Sequence, residues 1–250
     1  RASPRSLQDA RGPAGRNPGR VQPMMLTVIA YMNTARMPGI TPAMNNLPMS
    51  CSVMIEVEFG ASSGLCAARD AVTDLLAACG IAPDMAHMGR TAQRVRELWQ
   101  KRLLGGYDLD PAAALGEGFP DARTDMVVIR GIAIHGVCPH HLVPFRGVAH
   151  VAYIPGGRLH GFGRIARMVD AIGHRFTYQE WMTRDIADAM VTHGKALGAA
   201  CVIEAEQLCL LLGEDRRGDE RVVTQAFAGC LETDTTLRAE FRRAIGPGGT

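Results

Sequence analysis

The sequence lacks long apolar runs and carries little net charge. Of its 250 residues, 27 are lysine or arginine and 25 are aspartate or glutamate, a formal charge of +2. No stretch approaches the roughly 20 uninterrupted apolar residues that a membrane-spanning helix needs. So small a charge gives no electrostatic basis for binding nucleic acid. We therefore expect a soluble protein without membrane or nucleic-acid partners, whose 47% of hydrophobic residues suffices for one folded core.

The sequence also lacks a compact cysteine framework. Small secreted domains use closely spaced cysteine pairs, whereas the seven cysteines here are scattered and odd in number. At least one of them is therefore unpaired. A reducing compartment, and hence the cytoplasm, is the predicted location. The seven are Cys51, Cys66, Cys79, Cys138, Cys201, Cys209 and Cys230.

The first fifty residues lack a pattern that could bury a core. Arginine, glycine, proline and serine are frequent in residues 1–23, where Asp9 is the one acidic residue. This composition predicts a disordered tail over residues 1–50. An arginine-rich, acid-poor leader is also typical of transit peptides, but the segment has no convincing amphipathic periodicity. We expect the folded domain to occupy residues 65–250.

Beyond residue 65, the apolar spacing predicts helices and strands without alternating βαβ units. Two helices precede a strand pair, which is joined by a short link at 144–146, and a helix pair and a second strand pair follow. This order predicts an α+β fold in which a four-stranded antiparallel sheet carries two helices on one face. Leu75 and Leu98 are predicted to lie on buried helix faces. The predicted helices are 67–79, 91–104, 164–172, 178–197 and 235–244, and the predicted strands are 126–138, 147–154, 200–212 and 221–231.

One thiol and two imidazoles stand within four consecutive residues, Cys138-Pro139-His140-His141. From a tight turn that Pro139 stiffens, Cys138 and His141 can both reach one zinc ion. Cys209, in a segment with strand character, is the best candidate for a third ligand. Three protein ligands with an open position are the composition of a catalytic zinc site. The alternative interpretation is that these are ordinary buried cysteines and hydrogen-bonded histidines.

Strand periodicity predicts that Gln207 lies beside Cys209. Alternate residues of a strand share one face of the sheet, so a strand over 200–212 would place Cys201, Gln207 and Cys209 on the same side. A glutamine amide would then stand next to the proposed ligand.

Several separated segments together resemble the GTP cyclohydrolase I family, in the family's order and at its separations, from about residue 67 to residue 245. The resemblance implies the tunnelling fold and a homodecamer of two face-to-face pentamers with active sites between subunits. It also implies a zinc ion held by Cys138, His141 and Cys209. The matching segments are 138–145, 150–155, 164–170, Gln179-Glu180 and 186–189.

The resemblance also implies a reaction on GTP. Zinc-activated water adds at C8 of guanine, the imidazole ring opens, formate leaves, and the ribose is rearranged to give 7,8-dihydroneopterin triphosphate. His140 matches the family's acid/base histidine. Glu180, with Gln179 before it, matches the carboxylate that accepts hydrogen bonds from guanine N1 and the 2-amino group, which adenine cannot supply. Without the resemblance, Glu180 would be interpreted as an exposed helical glutamate.

Three arginines match phosphate-binding positions of the family, and lone arginines would otherwise be interpreted as solvated surface groups. Arg164 and Arg167 stand where a glycine-containing segment, 161–163, enters a predicted helix. Free amides and the helix dipole there favour a phosphate. Arg94, on an earlier helix, matches a further phosphate-binding arginine.

The sequence departs from the family at several positions, of which Gln207 is the most consequential, because the family has histidine there. Glutamine cannot take and return a proton near pH 7. A hypothesis follows in which the reaction stops at a formylaminopyrimidine or diaminopyrimidine nucleotide. Two lost phosphate contacts indicate, more weakly, a substrate with fewer phosphates. The other departures are Pro139 for Glu, Gly136 and Gly163 for Ser, Gly213-Glu214 for Arg-Gly, and Glu97 for Lys.

Three functions therefore remain at the level of sequence. The first is a zinc-dependent hydrolase that opens the guanine ring of GTP. The second is a non-catalytic paralogue that retains zinc and the oligomer but only binds nucleotide or partner proteins. The third is another enzyme of the same fold that acts on a pterin or deazapurine without zinc. The complete set of three zinc ligands disfavours the third and favours the first.

Overall fold

A four-stranded antiparallel sheet with helices packed on it organises the chain. The computed structural model describes residues 63–82, 87–213 and 220–246. The predicted tail over residues 1–50 lies outside the described residues, as do Glu214, Arg216 and Arg217. Residues Leu65–Thr250 belong to one compact unit. No helix among the described residues is long and apolar enough to cross a membrane.

The main sheet has the strand order β2-β3-β5-β6, and all its neighbouring strands are antiparallel. β2 and β6 form its two edges, while β1 and β4 pair separately as a small two-stranded sheet. The predicted α+β class with an antiparallel four-stranded sheet is confirmed. The strands are β1 (Phe119–Pro120), β2 (Val127–Val137), β3 (Pro144–Ile154), β4 (Arg158–Leu159), β5 (Gly198–Gln207) and β6 (Val222–Gly229).

Seven α-helices accompany the sheet in the described residues. The predicted helix 91–104 is divided, because its second half, Trp99–Leu103, is a π-helical turn. The last helix begins where the Asp234 side chain accepts hydrogen bonds from two first-turn amides, an N-cap that satisfies otherwise unpaired donors. The helices are α1 (Ser63–Ala78), α2 (Thr91–Leu98), α3 (Pro111–Leu115), α4 (Phe162–Gly173), α5 (Gln179–Thr192), α6 (Leu208–Leu211) and α7 (Thr235–Ile245).

The larger core lies between the sheet and the helix pair α4 and α5. Ile165, Met168 and Val169 of α4 are fully buried in it, as their helical spacing predicts. Complete burial of such a side chain contributes about 1.5–3 kcal/mol to stability. On β3, Val151 belongs to this core, whereas the next residue, Ala152, packs in a second cluster with Phe241 and Ile245 of α7. The sheet is therefore covered on both faces, with α7 opposite the helix pair.

The chain reversal between β2 and β3 lies earlier than the sequence predicts. The predicted link at 144–146 is wrong, because Pro144 already pairs with Val137 and Phe145 pairs with Gly136. A Cβ atom on Gly136 would lie 2.5 Å from Cζ of Phe145, so the glycine makes room for this buried ring. Pairing therefore extends to Val137, and the reversal falls on residues 138–143, which include Cys138 and His141.

The third long strand is shorter than predicted, and this changes the position of Cys209. β5 ends at Gln207, which pairs with Phe145 near the start of β3, while its pairing with β6 ends at Ala205 and Val222. Among the described residues, none of those directly after Gln207 pairs with a strand, and the chain forms the helical turn α6. The prediction that Cys209 shares a strand face with Gln207 is therefore wrong.

Two leucines predicted to be buried are exposed in the single chain. Leu75 of α1 is 62% exposed and Leu98 of α2 is 51% exposed. Helical periodicity identifies an apolar face correctly without identifying what covers it.

Two stacked imidazoles connect the end of α4 to β2, close to the reversal. The rings of His135 and His174 lie 3.7 Å apart. Burial, and then the neighbouring His135, lower the pKa of His174 to about 4. Burial raises the pKa of Asp170, whose Oδ1 lies 3.5 Å from Nε2 of His174. At neutral pH His174 is therefore uncharged, and its contact with Asp170 is not an ion pair.

This depressed pKa predicts a specific loss of stability in acid. The unfolded chain protonates His174 near its ordinary pKa of 6.5, whereas the folded chain resists protonation until about pH 4. The contribution of neutral His174 to the free energy of unfolding is therefore fully present above pH 6.5, and it is lost as the pH falls toward about 4. His174→Asn should flatten this decline in urea unfolding of metal-free protein, and exposed His193→Asn should not. Equal pH dependence in wild type and His174→Asn would contradict the prediction.

Candidate metal centre and nucleotide site

The reversal after β2 presents Cys138 and His141 on one compact loop. The amide of Cys138 donates to the main-chain oxygen of Val143 at 3.0 Å, and the amide of Leu142 donates to the oxygen of Cys138 at 2.9 Å. Leu142 has a φ of 54°, a left-handed conformation that costs a non-glycine residue roughly 1–2 kcal/mol. Strain of this kind persists where the surrounding structure determines the conformation, often at functional sites.

The turn α6 brings Cys209 to this loop. The Sγ atoms of Cys138 and Cys209 and a ring nitrogen of His141 all lie within 4.8 Å of one another. Zinc–sulfur bonds of about 2.3 Å and zinc–nitrogen bonds of about 2.0 Å place the donor atoms of a tetrahedral site within this limit of one another. Two thiols and one imidazole are also donors that zinc prefers. The three predicted ligands therefore fit a zinc ion as a group.

The Cys209 thiol has a perturbed pKa in this cluster. Burial, and then the adjacent Cys138 thiol, raise the pKa of Cys209, which disfavours the thiolate form of Cys209. A divalent cation reverses this preference, because it binds thiolates and compensates their charge. Cys138 is buried, Cys209 is half-buried and His141 is exposed, so the cluster is open on the histidine side.

His140 lies beside the three ligands without belonging to their group. Its ring is exposed, and its Nε2 is 2.9 Å from the hydroxyl of Tyr178, the residue that precedes α5. Tyr178 in turn packs edge-on against Trp181, with ring centroids 4.5 Å apart. Neither aromatic residue is among the sequence-predicted site residues. Their i, i+3 spacing at the start of a helix is the signal that could have identified them.

Gln207 and Gln179 form one hydrogen-bonded pair across the core side of the sheet. Gln179 is only 2% exposed, and its side chain contacts Gln207, two residues before the proposed ligand Cys209. The amide of Gln207 donates to Oε1 of Gln179 at 2.6 Å. The Gln179 amide donates to the main-chain oxygens of Ile203 and Val222, at 3.1 and 2.8 Å, and to Oγ1 of Thr224 at 3.1 Å. These bonds fix the orientation of both glutamines.

Glu180 is exposed in the first turn of α5, two residues after Tyr178 in sequence. A carboxylate at this end of a helix is favoured by the helix dipole. Its exposure within the single chain leaves it accessible to a nucleotide or to another subunit. The structure therefore places the predicted guanine reader two residues from the aromatic ring that contacts His140.

The predicted phosphate-binding arginines are all exposed. Arg164 and Arg167 lie on α4, which begins at Phe162, so Arg164 is in its first turn rather than at its start. Arg94 donates to Oγ1 of Thr91 at 2.9 Å. Glu97, one of the departures, accepts a hydrogen bond from Gln93. Arg221, a further arginine of the chain, is paired with Glu206.

Comparison with known proteins supports a single family. The sequence model of the GTP cyclohydrolase I family matches residues 68–246 of the chain. The GTP cyclohydrolase 1 of Chromobacterium violaceum is 73% identical over 175 residues, which cover 70% of this chain and 85% of that protein. The protein of the same name from Ralstonia nicotianae is 71% identical over 175 residues, covering 70% and 84%.

More distant relatives carry the same name. The GTP cyclohydrolase 1 of Dehalococcoides mccartyi is 37% identical over 181 residues, covering 72% of this chain and 95% of that protein. Among solved structures, the archaeosine synthase QueF-Like in the apo form matches 44% of this chain and 96% of its own, at 17% identity and a TM-score of 0.33. The family match spans both the loop at Cys138 and the turn at Cys209.

Proposed function

The chain belongs to the GTP cyclohydrolase I family of hydrolases, and on that premise we propose that it opens the guanine imidazole ring of GTP with a bound zinc ion. C8 leaves as formate, and 7,8-dihydroneopterin triphosphate is the expected product. The observation that carries the proposal is the convergence of Cys138, His141 and Cys209 within 4.8 Å. A bound zinc ion would supply Lewis acidity, lowering the pKa of water from about 16 to about 7.

The side chains around the cluster divide the remaining tasks. His140 moves a proton at N7 of the guanine ring, since it is exposed beside the ligands. Glu180 accepts the hydrogen bonds of N1 and the 2-amino group, which selects guanine over adenine. Arg94, Arg164 and Arg167 bind the triphosphate, for which their exposure leaves them available.

Assembly with further copies of the chain is part of the proposal. We infer a homo-oligomer, with the family's decamer as the expected form and active sites between subunits. The edge strands β2 and β6 offer 11 and 8 residues for pairing with another chain. The exposed Leu75 and Leu98 offer apolar surface that another chain can bury. Light scattering during size-exclusion chromatography distinguishes this assembly from a 26.9 kDa monomer.

A second outcome of the chemistry is favoured by one observation. The Gln207 amide is held by Gln179, and an amide cannot exchange protons near pH 7 as histidine does. Steps after ring opening that need proton transfer at this position would then be slow. The reaction would stop at a formylaminopyrimidine or diaminopyrimidine nucleotide.

Mass spectrometry of the products tests both outcomes. Zinc-loaded protein is incubated with GTP, and in parallel with GDP and GMP to identify the preferred number of phosphates. Dihydroneopterin triphosphate as the product confirms the full reaction, and a ring-opened pyrimidine as the end product establishes the shortened one. Unchanged nucleotide in all three incubations contradicts the proposed activity.

The role of Gln207 gives a prediction on the time course. Where wild type accumulates ring-opened nucleotide, Gln207→His should lower that accumulation by roughly tenfold or more, because general acid–base catalysis contributes about 10²–10⁴-fold to a rate. Gln207→Asn, which restores no titratable group, is the matched control and should not lower it. Rapid quenching followed by mass spectrometry measures the accumulated nucleotide. Equal accumulation in wild type and Gln207→His would contradict the prediction.

A further inference from the structure

We propose that Tyr178 is a positioning residue for His140, holding the exposed imidazole in its working orientation beside the metal ligands. The inference deepens the proposed function and rests on it, since it assigns to Tyr178 a part in the guanine ring-opening reaction. It is carried by the contact between the Tyr178 hydroxyl and Nε2 of His140, at 2.9 Å, between residues 38 positions apart in sequence.

Main-chain hydrogen bonds fix the segment that ends at Tyr178. The amide of Val137 donates to the oxygen of Arg175 at 3.0 Å, and the amide of Thr177 donates to the oxygen of Val137 at 3.1 Å. These bonds attach the segment before α5 to the last residue of β2, directly before Cys138. Tyr178 follows at the N-cap of α5. The position of its ring relative to the metal loop is therefore set by the backbone.

A continuous series of aromatic contacts runs from the proposed ligand His141 to Trp181. The ring centroids of His141 and His140 lie 6.1 Å apart, and those of His140 and Tyr178 lie 5.0 Å apart. Tyr178 packs at 83° against Trp181, which is 57% exposed. Edge-to-face contacts of this kind are favourable beyond the area that they bury. Trp181 thus packs against the same Tyr178 ring that contacts His140.

His140 needs such a restraint, because it stands exposed on a loop. An exposed side chain on a loop otherwise exchanges among rotamers, and misorientation of a catalytic group reduces the rate strongly. The amide of Gln207 is used in a hydrogen bond to Gln179. Among the described residues, the Tyr178 hydroxyl is the one polar side-chain group within hydrogen-bond distance of His140. The phenol hydroxyl is therefore the group that holds the ring.

Tyr178→Phe tests this role, because it removes the hydroxyl and keeps the ring that packs on Trp181. We expect kcat to fall roughly three- to tenfold, the value of one hydrogen bond, with KM for GTP and zinc content unchanged. In a His140→Gln background, Tyr178→Phe should have no further effect, since Tyr178 acts through His140. Tyr107→Phe is the control, and it should leave kcat unchanged. If Tyr178→Phe lowers kcat by the same factor in the wild-type and His140→Gln backgrounds, the proposal is overturned.

A second measurement does not depend on turnover. Diethyl pyrocarbonate modifies accessible imidazole nitrogens, and peptide mass spectrometry gives its rate at each histidine. Tyr178→Phe should accelerate modification of His140 several-fold and leave exposed His193 unchanged. An unchanged rate at His140 would overturn the inference even if the enzyme converts GTP. Acceleration in a protein that leaves GTP untouched would support the contact and locate the failure in the proposed reaction.

Discussion

Cys209→Ser should abolish stoichiometric zinc binding and reduce GTP turnover by at least roughly a thousandfold. The substitution removes one of three donors whose atoms lie within 4.8 Å of one another, and a serine hydroxyl is a poor zinc ligand at neutral pH. Cys209 is only partly buried on the short turn α6, so the fold should survive. Inductively coupled plasma mass spectrometry of the purified protein measures zinc, and formate release measures turnover.

A matched substitution separates the metal effect from a general effect of losing a thiol. Cys79 is exposed directly after α1 and does not belong to the cluster. Cys79→Ser should therefore keep both zinc and activity. If Cys209→Ser retains one zinc per chain and normal turnover, Cys209 is not a ligand, and the proposed site would need a different third donor.

Glu180→Gln should lower kcat/KM for GTP by roughly 10²–10⁴-fold. Two hydrogen bonds from guanine to a charged acceptor contribute about 1.5–3 kcal/mol each, and an amide cannot replace the carboxylate for both donors. Glu180 is exposed in the first turn of α5, so stability should change by about 1 kcal/mol or less. Steady-state kinetics and a thermal unfolding curve measure the two quantities.

The same helix supplies the control for this prediction. Asp188 of α5 pairs with Arg184 at 3.6 Å. Asp188→Asn removes an exposed negative charge from the same helix without changing the carboxylate that is proposed to bind guanine. Its kcat/KM should remain near that of wild type. A second readout uses inosine triphosphate, which lacks the 2-amino group. Wild type should prefer GTP to it strongly, and Glu180→Gln should reduce that preference. An equal preference in both proteins would show that Glu180 does not read the base.

The predicted fold agrees with the structure where local pattern was sufficient. Ile165, Met168 and Val169 have the spacing of an amphipathic helix, and all three are fully buried in α4. The order of strand and helix pairs led to the α+β class, which the structure confirms. Periodicity succeeds here because each element must bury one face, and this requirement is written into the residues of the element itself.

The predictions failed where the outcome depended on a neighbouring segment. A strand over 200–212 was predicted from its apolar residues, but β5 ends at Gln207, because its pairing with β6 ends at Ala205 and its pairing with β3 ends at Phe145. The exposure of Leu75 likewise depends on what packs against α1, which its own periodicity cannot reveal. Strand ends and covered surfaces are properties of pairs of segments.

By itself, the sequence determined the chemistry available to this protein. The proposed donor set of Cys138, His141 and Cys209, the proposed guanine reader Glu180 and the glutamine at position 207 can all be identified without coordinates. Only the tertiary structure decided how these groups are held. It placed Cys209 on a helical turn, bound Gln207 to the buried Gln179, and brought Tyr178 to His140. The reason is physical: residue type fixes what a side chain can bind, whereas hydrogen bonds between distant segments fix where it stands.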